Sequence, residues 1–576
     1  MGCITARKKG NNTYYVYQET YRVKRDRTAE GKKRGSGQSN VRTRAVYLGT
    51  AERILKLLQD AGEPHSVHVR SFGLVAAAYQ TAREIHLPEI LMEHLPGERA
   101  SIARWIYFFV AIINRLDHAT SKNRMAQWLS KTILPELLDI DPAKLSGKNF
   151  WYAAEDILSE KLLRDRRALE RPCDDPFSGL DEDTFNRIET DLFTYVDRLM
   201  GLSPSVIFYD TTNFYTYIEE PKRSELANTC HSKASKNHLR HVGLLMAVER
   251  SHGVPLVSHI YQANRHDSKL FSCVLADLVV TLKKLCPDAS DLVIVLDKGN
   301  NSKENFQVMA GTISWIGALV PSHHKDLIDL DLASYHGIWK GLAYYRCAKT
   351  IMGIACSLVL TFNEATKRKQ QHSLARNIAN LKRDILSKWL AYKKKPVALS
   401  RGIRTLLEKS EYASCVEVSV QNGEIHIQEK PAEIAARTKR FGKSVIFSNM
   451  LDAQTGYLID TYHEKNAIEN DFQLLKDHDI IRFRPIRHWT DTKIRAYAFC
   501  CVVALTLMRV MQWKAQTAGY KMSPQLLKDE LSDIEEVVLL YNHTQAKRKI
   551  TDRSKVQHKL WEVFQLGGIE KQVLLH

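Results

Sequence analysis

The chain reads as a multidomain α+β protein, and three features of the sequence carry that prediction. The first is a block after Pro204 in which strand-like apolar runs follow one another: Val206-Ile207-Phe208-Tyr209-Asp210, then Val242 to Val248, then Leu256 to Ile260 after a Ser251-His252-Gly253 turn. The second is a helix expected from about Ser268 to Leu285 that leads into a fourth strand, Leu292 to Leu296, closed by Asp297. Three strands, a helix and a fourth strand, with an aspartate ending the first and the fourth, is the order of a ribonuclease-H-like sheet. The third is a region from about 66 to 200 whose apolar residues recur at helical spacing, as in Ile102, Trp105, Ile106 and Phe109. The predicted architecture is therefore a ribonuclease-H-like α/β catalytic domain, interrupted by an inserted α+β subdomain and preceded by a helical N-terminal region.

Each segment has its own signal. In residues 1–65, Tyr14 to Tyr17 and Val41 to Leu48 alternate as strands do, with Gly31, Gly35, Gly37 and many cations between them, so a basic β-hairpin is expected. Residues 66–200 form the helical region, ending in an acidic connector that holds Pro172, Pro176, Gly179, Asp181 and Asp183. Residues 201–320 carry the first part of the sheet, with a Ser302-capped helix and a further strand near 313–320. Residues 321–442 break the pattern and are read as the insertion. They contain a long basic helix in which Leu374, Ile378, Leu381, Ile385 and Trp389 repeat every three to four residues. Residues 443–515 resume the interrupted domain, and 516–576 are expected to be a basic helical tail. Trp389 and Trp489 are read as packing residues.

Composition narrows the function classes. With 576 residues and 44% apolar composition the chain has enough material for several cores. The formal charge of +18 and the pI near 9.3 call for a polyanionic partner. The charge is also unevenly placed, because residues 1–45 carry a net +9 and residues 367–404 a net +11, which leaves the remainder slightly acidic. The ten cysteines show no C-x-x-C spacing and read as reduced, mostly buried thiols in a cytosol. Ala496 to Met508 is the longest apolar run, bounded by Arg495 and Arg509, and is too short to span a bilayer. No membrane role and no signal peptide are expected. There is no phosphate-binding G-x-x-x-x-G-K-[ST] loop and no G-x-S-x-G, so nucleotide hydrolysis and acyl hydrolysis lack support.

The chemistry is concentrated in one helix. Tyr462, Lys465, Glu469 and Lys476 stand at i, i+3, i+7 and i+14, so at 100° per residue they project within about 60° of one another. Ile468, Phe472 and Leu475 fall on the neighbouring face, suited to a core. A carboxylate among cations fits a site that holds a metal beside a phosphate backbone. Magnesium takes hard oxygen ligands, commonly one or two carboxylates per ion, and Asp210, Asp297 and Glu469 could supply two ions. Each acid has a plainer explanation: Asp210 and Asp297 as turn formers, Glu469 as the i+4 partner of Lys465. Their conjunction is what favours a catalytic centre. His252, His259, His266 and His463 are read as ordinary histidines, and Asp267 or Ser268 as the cap of the helix that follows.

On these residues the chain resembles the DDE transposases of prokaryotic insertion sequences, in the group marked by a Y-x2-R-x3-E-x6-K helix. The match is Tyr462-x2-Lys465-x3-Glu469-x6-Lys476, together with Tyr209-Asp210-Thr211-Thr212, Asp297-Lys298-Gly299-Asn300-Asn301-Ser302 and a large insertion between the second acid and the glutamate. The resemblance implies cleavage of double-stranded DNA at terminal inverted repeats and joining of the freed 3′-hydroxyl to target DNA. Asp210, Asp297 and Glu469 would be the triad that binds two Mg2+ ions, for which Mn2+ could substitute. Tyr462, Lys465 and Lys476 would be DNA-binding residues; residues 1–200 are favoured for reading the repeat, with 66–200 as a DNA-binding region. It further implies a homodimer on DNA and a cytoplasmic, nucleoid-associated location. Lys465 departs from the signature, since a lysine keeps the charge of the arginine but loses its planar fork. The alternatives are a nuclease of the same chemistry without strand transfer, and an inactive DNA-binding regulator.

Overall fold

A computed structural model describes residues 2–9, 12–22, 41–51, 53–54, 64–155, 184–202, 204–218, 224–230, 236–285, 292–421, 424–541 and 545–574. The hairpin turn with Gly31, Gly35 and Gly37 and the acidic connector at 172–183 lie outside these residues. Strands β1 (Gly2–Lys9), β2 (Asn12–Arg22) and β3 (Val41–Thr50) form a three-stranded antiparallel sheet. The basic hairpin thus has an additional strand in front of it, whose mixed composition lacks the alternation that marks β2. Next come β4 (Ser66–Ser71) and the helices α1 (Gly73–Glu84), α2 (Leu87–His94), α3 (Arg104–Leu116) and α4 (Thr184–Met200). In α3 every residue from Ile106 to Leu116 is buried, as expected of a helix enclosed by protein rather than laid on a surface.

The principal sheet begins with β5 (Val206–Tyr215), β6 (Arg240–Glu249) and β7 (Pro255–Gln262), neighbours paired antiparallel, with a short turn between β6 and β7. Helix α5 (Asp267–Leu285) then crosses over to β8 (Val293–Leu296), which lies parallel to β5, and β9 (Ser314–Leu319) lies parallel to β8. Across the sheet these five strands stand in the order third, second, first, fourth, fifth. The residues between 321 and 442 divide in two. Strands β10 (Gly337–Trp339), β11 (Leu342–Ile351) and β12 (Ile354–Phe362) extend the same sheet, β12 pairing with a strand that follows residue 442. The continuous apolar run of β12 is what a strand covered on both faces requires. Helices α6 (Glu364–Tyr392) and α7 (Pro396–Lys409) and the hairpin of β13 (Val416–Gln421) and β14 (Glu424–Glu429) enclose a second core of Leu374, Ile378, Leu381, Ile385, Leu399, Ile403, Cys415 and Val416.

Strand β15 (Lys443–Ser448) lies between β9 and β12. It is followed by α8 (Thr455–Glu464), α9 (Asn466–Lys476) and α10 (Asp491–Thr517). Among the described residues, α10 is the one helix long and apolar enough to cross a membrane, and 89% of its apolar window is buried inside the protein. It serves as the central strut of the main core, packing against α1, α3, α4 and β7. The remaining residues differ from the expected helical tail. After α11 (Pro524–Ser532), β16 (Glu535–Tyr541) and β17 (Gln545–Ile550) form a hairpin that pairs with β4, and α12 (Lys555–Val563) and α13 (Leu566–Leu574) close the chain. Arg70 Nε donates to the buried Glu536 at 2.6 Å across this junction. The run Val537-Val538-Leu539-Leu540-Tyr541 pairs on one side with the adjacent β17 and on the other with β4, near the start of the chain.

One buried acid in this frame makes stability depend on pH. Glu189 of α4 accepts hydrogen bonds from Ser258 N at 2.7 Å and Ser258 Oγ at 2.6 Å, and burial pushes its carboxyl up from 4.5 to about 7. A group raised in the folded state contributes stability that is complete below its unfolded value and lost as pH rises through its folded value. Unfolding by urea at pH 5 and pH 8 should show Glu189→Gln gaining on the wild type by roughly 3 kcal/mol at the higher pH. An unchanged difference between the two proteins would refute this assignment.

Candidate active site

The site forms where α9 packs on β5 and α8 packs on β9, β15 and β12. The two-residue period of a strand puts Phe208, Asp210, Thr212 and Phe214 on one face of β5. The parallel pairing of β8 with β5 sets Leu296 beside Tyr209, so Asp297, the next residue, stands beside Asp210 on the adjoining strand. Asp210 was expected to end its strand. Instead β5 continues for five residues beyond it, because Thr211, Thr212 and Phe214 are β-formers that pair with β6 as far as Tyr215–His241. Asp297 does end its strand and starts a short helical turn at Lys298–Asn300, but its carboxylate makes no capping hydrogen bond there.

The helix expected from Tyr462 to Lys476 is two helices joined at Lys465. Lys465 N donates to Tyr462 O at 3.3 Å and Ile468 N to Lys465 O at 3.1 Å, both three-residue bonds that tighten the joint. Lys465 is 5% exposed, and its Nζ lies 3.9 Å from Asp210 Oδ2, 3.9 Å from Asp297 Oδ1 and 3.9 Å from Glu469 Oε1. Any two of these oxygens are thus separated by no more than twice that distance. Three acids from three distant stretches of sequence meet at one point. Lys465, expected to hold a phosphate, lies among the three carboxylates.

The other two signature residues flank this centre. Burial holds the Tyr462 phenol well above its usual pKa, and the charges of Asp297, Asp210 and Glu469 add to the effect, so it remains a neutral O–H donor. Lys476 Nζ donates to Thr212 Oγ1 at 2.5 Å and lies 5.5 Å from the Phe214 ring and 5.9 Å from the Phe472 ring. Ile468, Phe472 and Leu475 are buried beneath α9. Thr212 was quoted from the sequence only as part of the motif around Asp210 and Phe214 not at all, although the strand period that places Asp210 on this face places both there too.

A second buried pair fixes the helix. Asp471 is wholly buried and accepts from Arg509 Nε of α10 at 2.8 Å. Burial raises its carboxyl to about 6 against the lowering effect of Arg509. Gly253 has φ +68°, and a Cβ added there would lie 2.9 Å from Asp471 Oδ2, so glycine is required in the turn between β6 and β7. Asp471 was overlooked because its partner lies beyond α9 in the chain.

The donor set fits a hard divalent cation in chemistry: three carboxylates surround one point, and with Lys465 counted their formal charge is −2. The spacing is that of acids gathered around an ammonium. Among the described residues no group of three or more His, Cys, Asp or Glu side chains stands at metal-coordination spacing. A bound ion would therefore have to draw these carboxylates inward.

No protein-family model matches the chain, and no curated protein matches it. Among solved structures, it is similar to the piggyBac transposase in its synaptic complex with hairpin DNA, with 11% identity and a TM-score of 0.37 over 80% of this chain and 76% of that one. A likeness of that degree carries no argument for fold or function.

Proposed function

We propose that the chain is a DDE-type transposase that cleaves DNA at the ends of a mobile element and joins the 3′-hydroxyl ends to target DNA. The observation that carries this reading is the convergence of Asp210, Asp297 and Glu469 on Lys465 Nζ, 3.9 Å from each. The strand order around them is consistent with a ribonuclease-H-like domain, which would place two of the acids on adjoining strands and bring the third in on a helix.

In this reading Asp210, Asp297 and Glu469 would hold Mg2+, as two ions, with Mn2+ able to substitute. Bound there, the metal would activate the attacking oxygen and stabilise the leaving oxygen of an in-line phosphoryl displacement. The chain's own groups do the remaining work. Tyr462 keeps its proton and donates a hydrogen bond to a phosphate oxygen. Lys476, steadied by Thr212 and by two aromatic faces, offers a positive charge to the DNA backbone next to the acids. Lys465 neutralises part of the carboxylate charge and so limits repulsion between the acids and an approaching phosphate. The basic blocks at residues 1–45 and 367–404 add sequence-independent affinity with a steep salt dependence. Synapsis of two ends calls for a homodimer on DNA.

The test is incubation of the protein with Mg2+ and DNA carrying the repeats that flank its gene, comparing wild type with Glu469→Gln. Strand-transfer products from a labelled 3′ end, absent with Glu469→Gln, support a transposase. Nicks without joined products point to a nuclease of the same chemistry. Equal nicking by both proteins rejects the site.

A further inference from the structure

We infer that a second anion site lies beside the carboxylate centre, in a cavity where residues 115–124 face residues 482–488, and that it holds phosphate groups of a nucleic-acid strand. The choice of a nucleic acid rests on the function proposed above. The cavity, of about 620 Å3, is lined by Arg115, Lys122, Arg124, Arg482, Arg484 and Arg487, and no aspartate or glutamate lines it. Among the described residues, none of these six cations forms an ion pair with a carboxylate.

Two of the six are enclosed. Arg115 is 3% exposed and Lys122 6% exposed. Arg115 donates from its terminal nitrogens to Tyr497 Oη at 3.2 Å, Asn114 Oδ1 at 2.7 Å and Thr120 O at 2.6 Å, while its Nε is buried without a hydrogen-bond partner. Lys122 Nζ lies 4.1 Å from the centre of the Phe150 ring, and burial lowers its ammonium to about 8. Burial, with Lys122 and Arg115 nearby, also keeps His488 well below its usual value. Buried cations without counter-charges are costly, and an entering anion relieves that cost. Arginine forks suit phosphate in particular.

The surroundings favour a strand over a free anion. Trp151, His488 and Tyr497 meet edge to face along the cavity, with centroids 4.4 Å and 4.6 Å apart, and the neighbouring Trp489 is 52% exposed. Aromatic faces among cations are how single strands are gripped without regard to sequence. Trp489, read from the sequence as a packing residue, is on the surface instead. The basic loop is also tied to the carboxylate centre: Ile486 N donates to Tyr215 O at 3.2 Å, Tyr217 N to Ile486 O at 3.2 Å, and Arg484 Nε to Lys476 O at 3.3 Å. From Asp210 to Thr216 the strand rises roughly 20 Å, about six nucleotides of a strand.

The test is fluorescence anisotropy of the full chain with a labelled mixed-sequence DNA duplex and with the corresponding single strand, without divalent metal, over a salt series. Wild type is compared with the Arg124→Gln/Arg487→Gln double variant, whose altered side chains are exposed and whose fold is checked by circular dichroism. The variant should bind roughly tenfold or more weakly at 0.1 M salt, with a salt slope smaller by about two. Equal affinity and slope would overturn the proposal. So would inorganic pyrophosphate raising the melting temperature of the wild type alone while both proteins bind DNA alike, since the ligand would then be a small anion. If the wild type cleaves no DNA yet the variant loses oligonucleotide binding, the cavity assignment stands and the catalytic reading falls.

Discussion

Asp297→Asn should lower magnesium-dependent DNA cleavage by roughly 10³-fold or more while leaving the protein folded. Removing one carboxylate from a cation site forfeits several kcal/mol of stabilisation in the transition state, and about 4 kcal/mol is three orders of magnitude in rate. The Asp297 side chain is 39% exposed and makes no capping bond, so its loss from the folded state costs little. Asp210→Asn and Glu469→Gln should match it. A triple variant should be scarcely worse than any single one, because groups acting as a unit are not additive. Nicking measured on an end-labelled duplex, with circular dichroism to confirm folding, checks all four. Retention of more than a tenth of the wild-type rate by Asp297→Asn would remove that residue from the centre.

Lys465→Met should have the opposite signature, visible in stability before activity. Lys465 is 5% exposed and its ammonium lies between three carboxylates, so a neutral side chain of similar length leaves three negative charges facing one another. Breaking a buried pair commonly costs 3–5 kcal/mol. With Asp297 and Glu469 partly solvated, about 2 kcal/mol is expected here in the absence of divalent ions. Millimolar Mg2+ should return most of that loss, because a ligand that binds the folded state alone stabilises it by mass action. The melting temperature of the variant should therefore respond to Mg2+ more than that of the wild type. Equal responses, or no loss without metal, would mean that Lys465 is not the counter-ion of these acids.

How far the sequence reached follows from the range of the interactions involved. Tyr462, Lys465, Glu469 and Lys476 could be aligned because they lie within fifteen residues and share one helical repeat, and Asp210 and Asp297 because each follows an apolar strand. The joint at Lys465 was not visible, since the helical repeat runs through it without a glycine or proline. Thr212 and Phe214 were available from strand alternation alone, once β5 is allowed to run past Asp210. Asp471 with Arg509, β4 with β16, and the six cations of the basic cavity were out of reach for a common reason: each depends on partners brought together by the tertiary fold. The same applies to 337–362, whose strands read as part of an insertion yet join the main sheet through β15, a partner some ninety residues later in the chain.

The most direct test of the carboxylate centre needs no knowledge of the DNA sequence: calorimetric titration of the purified protein with Mn2+, beside the Asp210→Asn/Glu469→Gln variant. Saturable binding by the wild type, lost in the variant while its fold is retained, is the predicted result. Identical isotherms for the two proteins would contradict it.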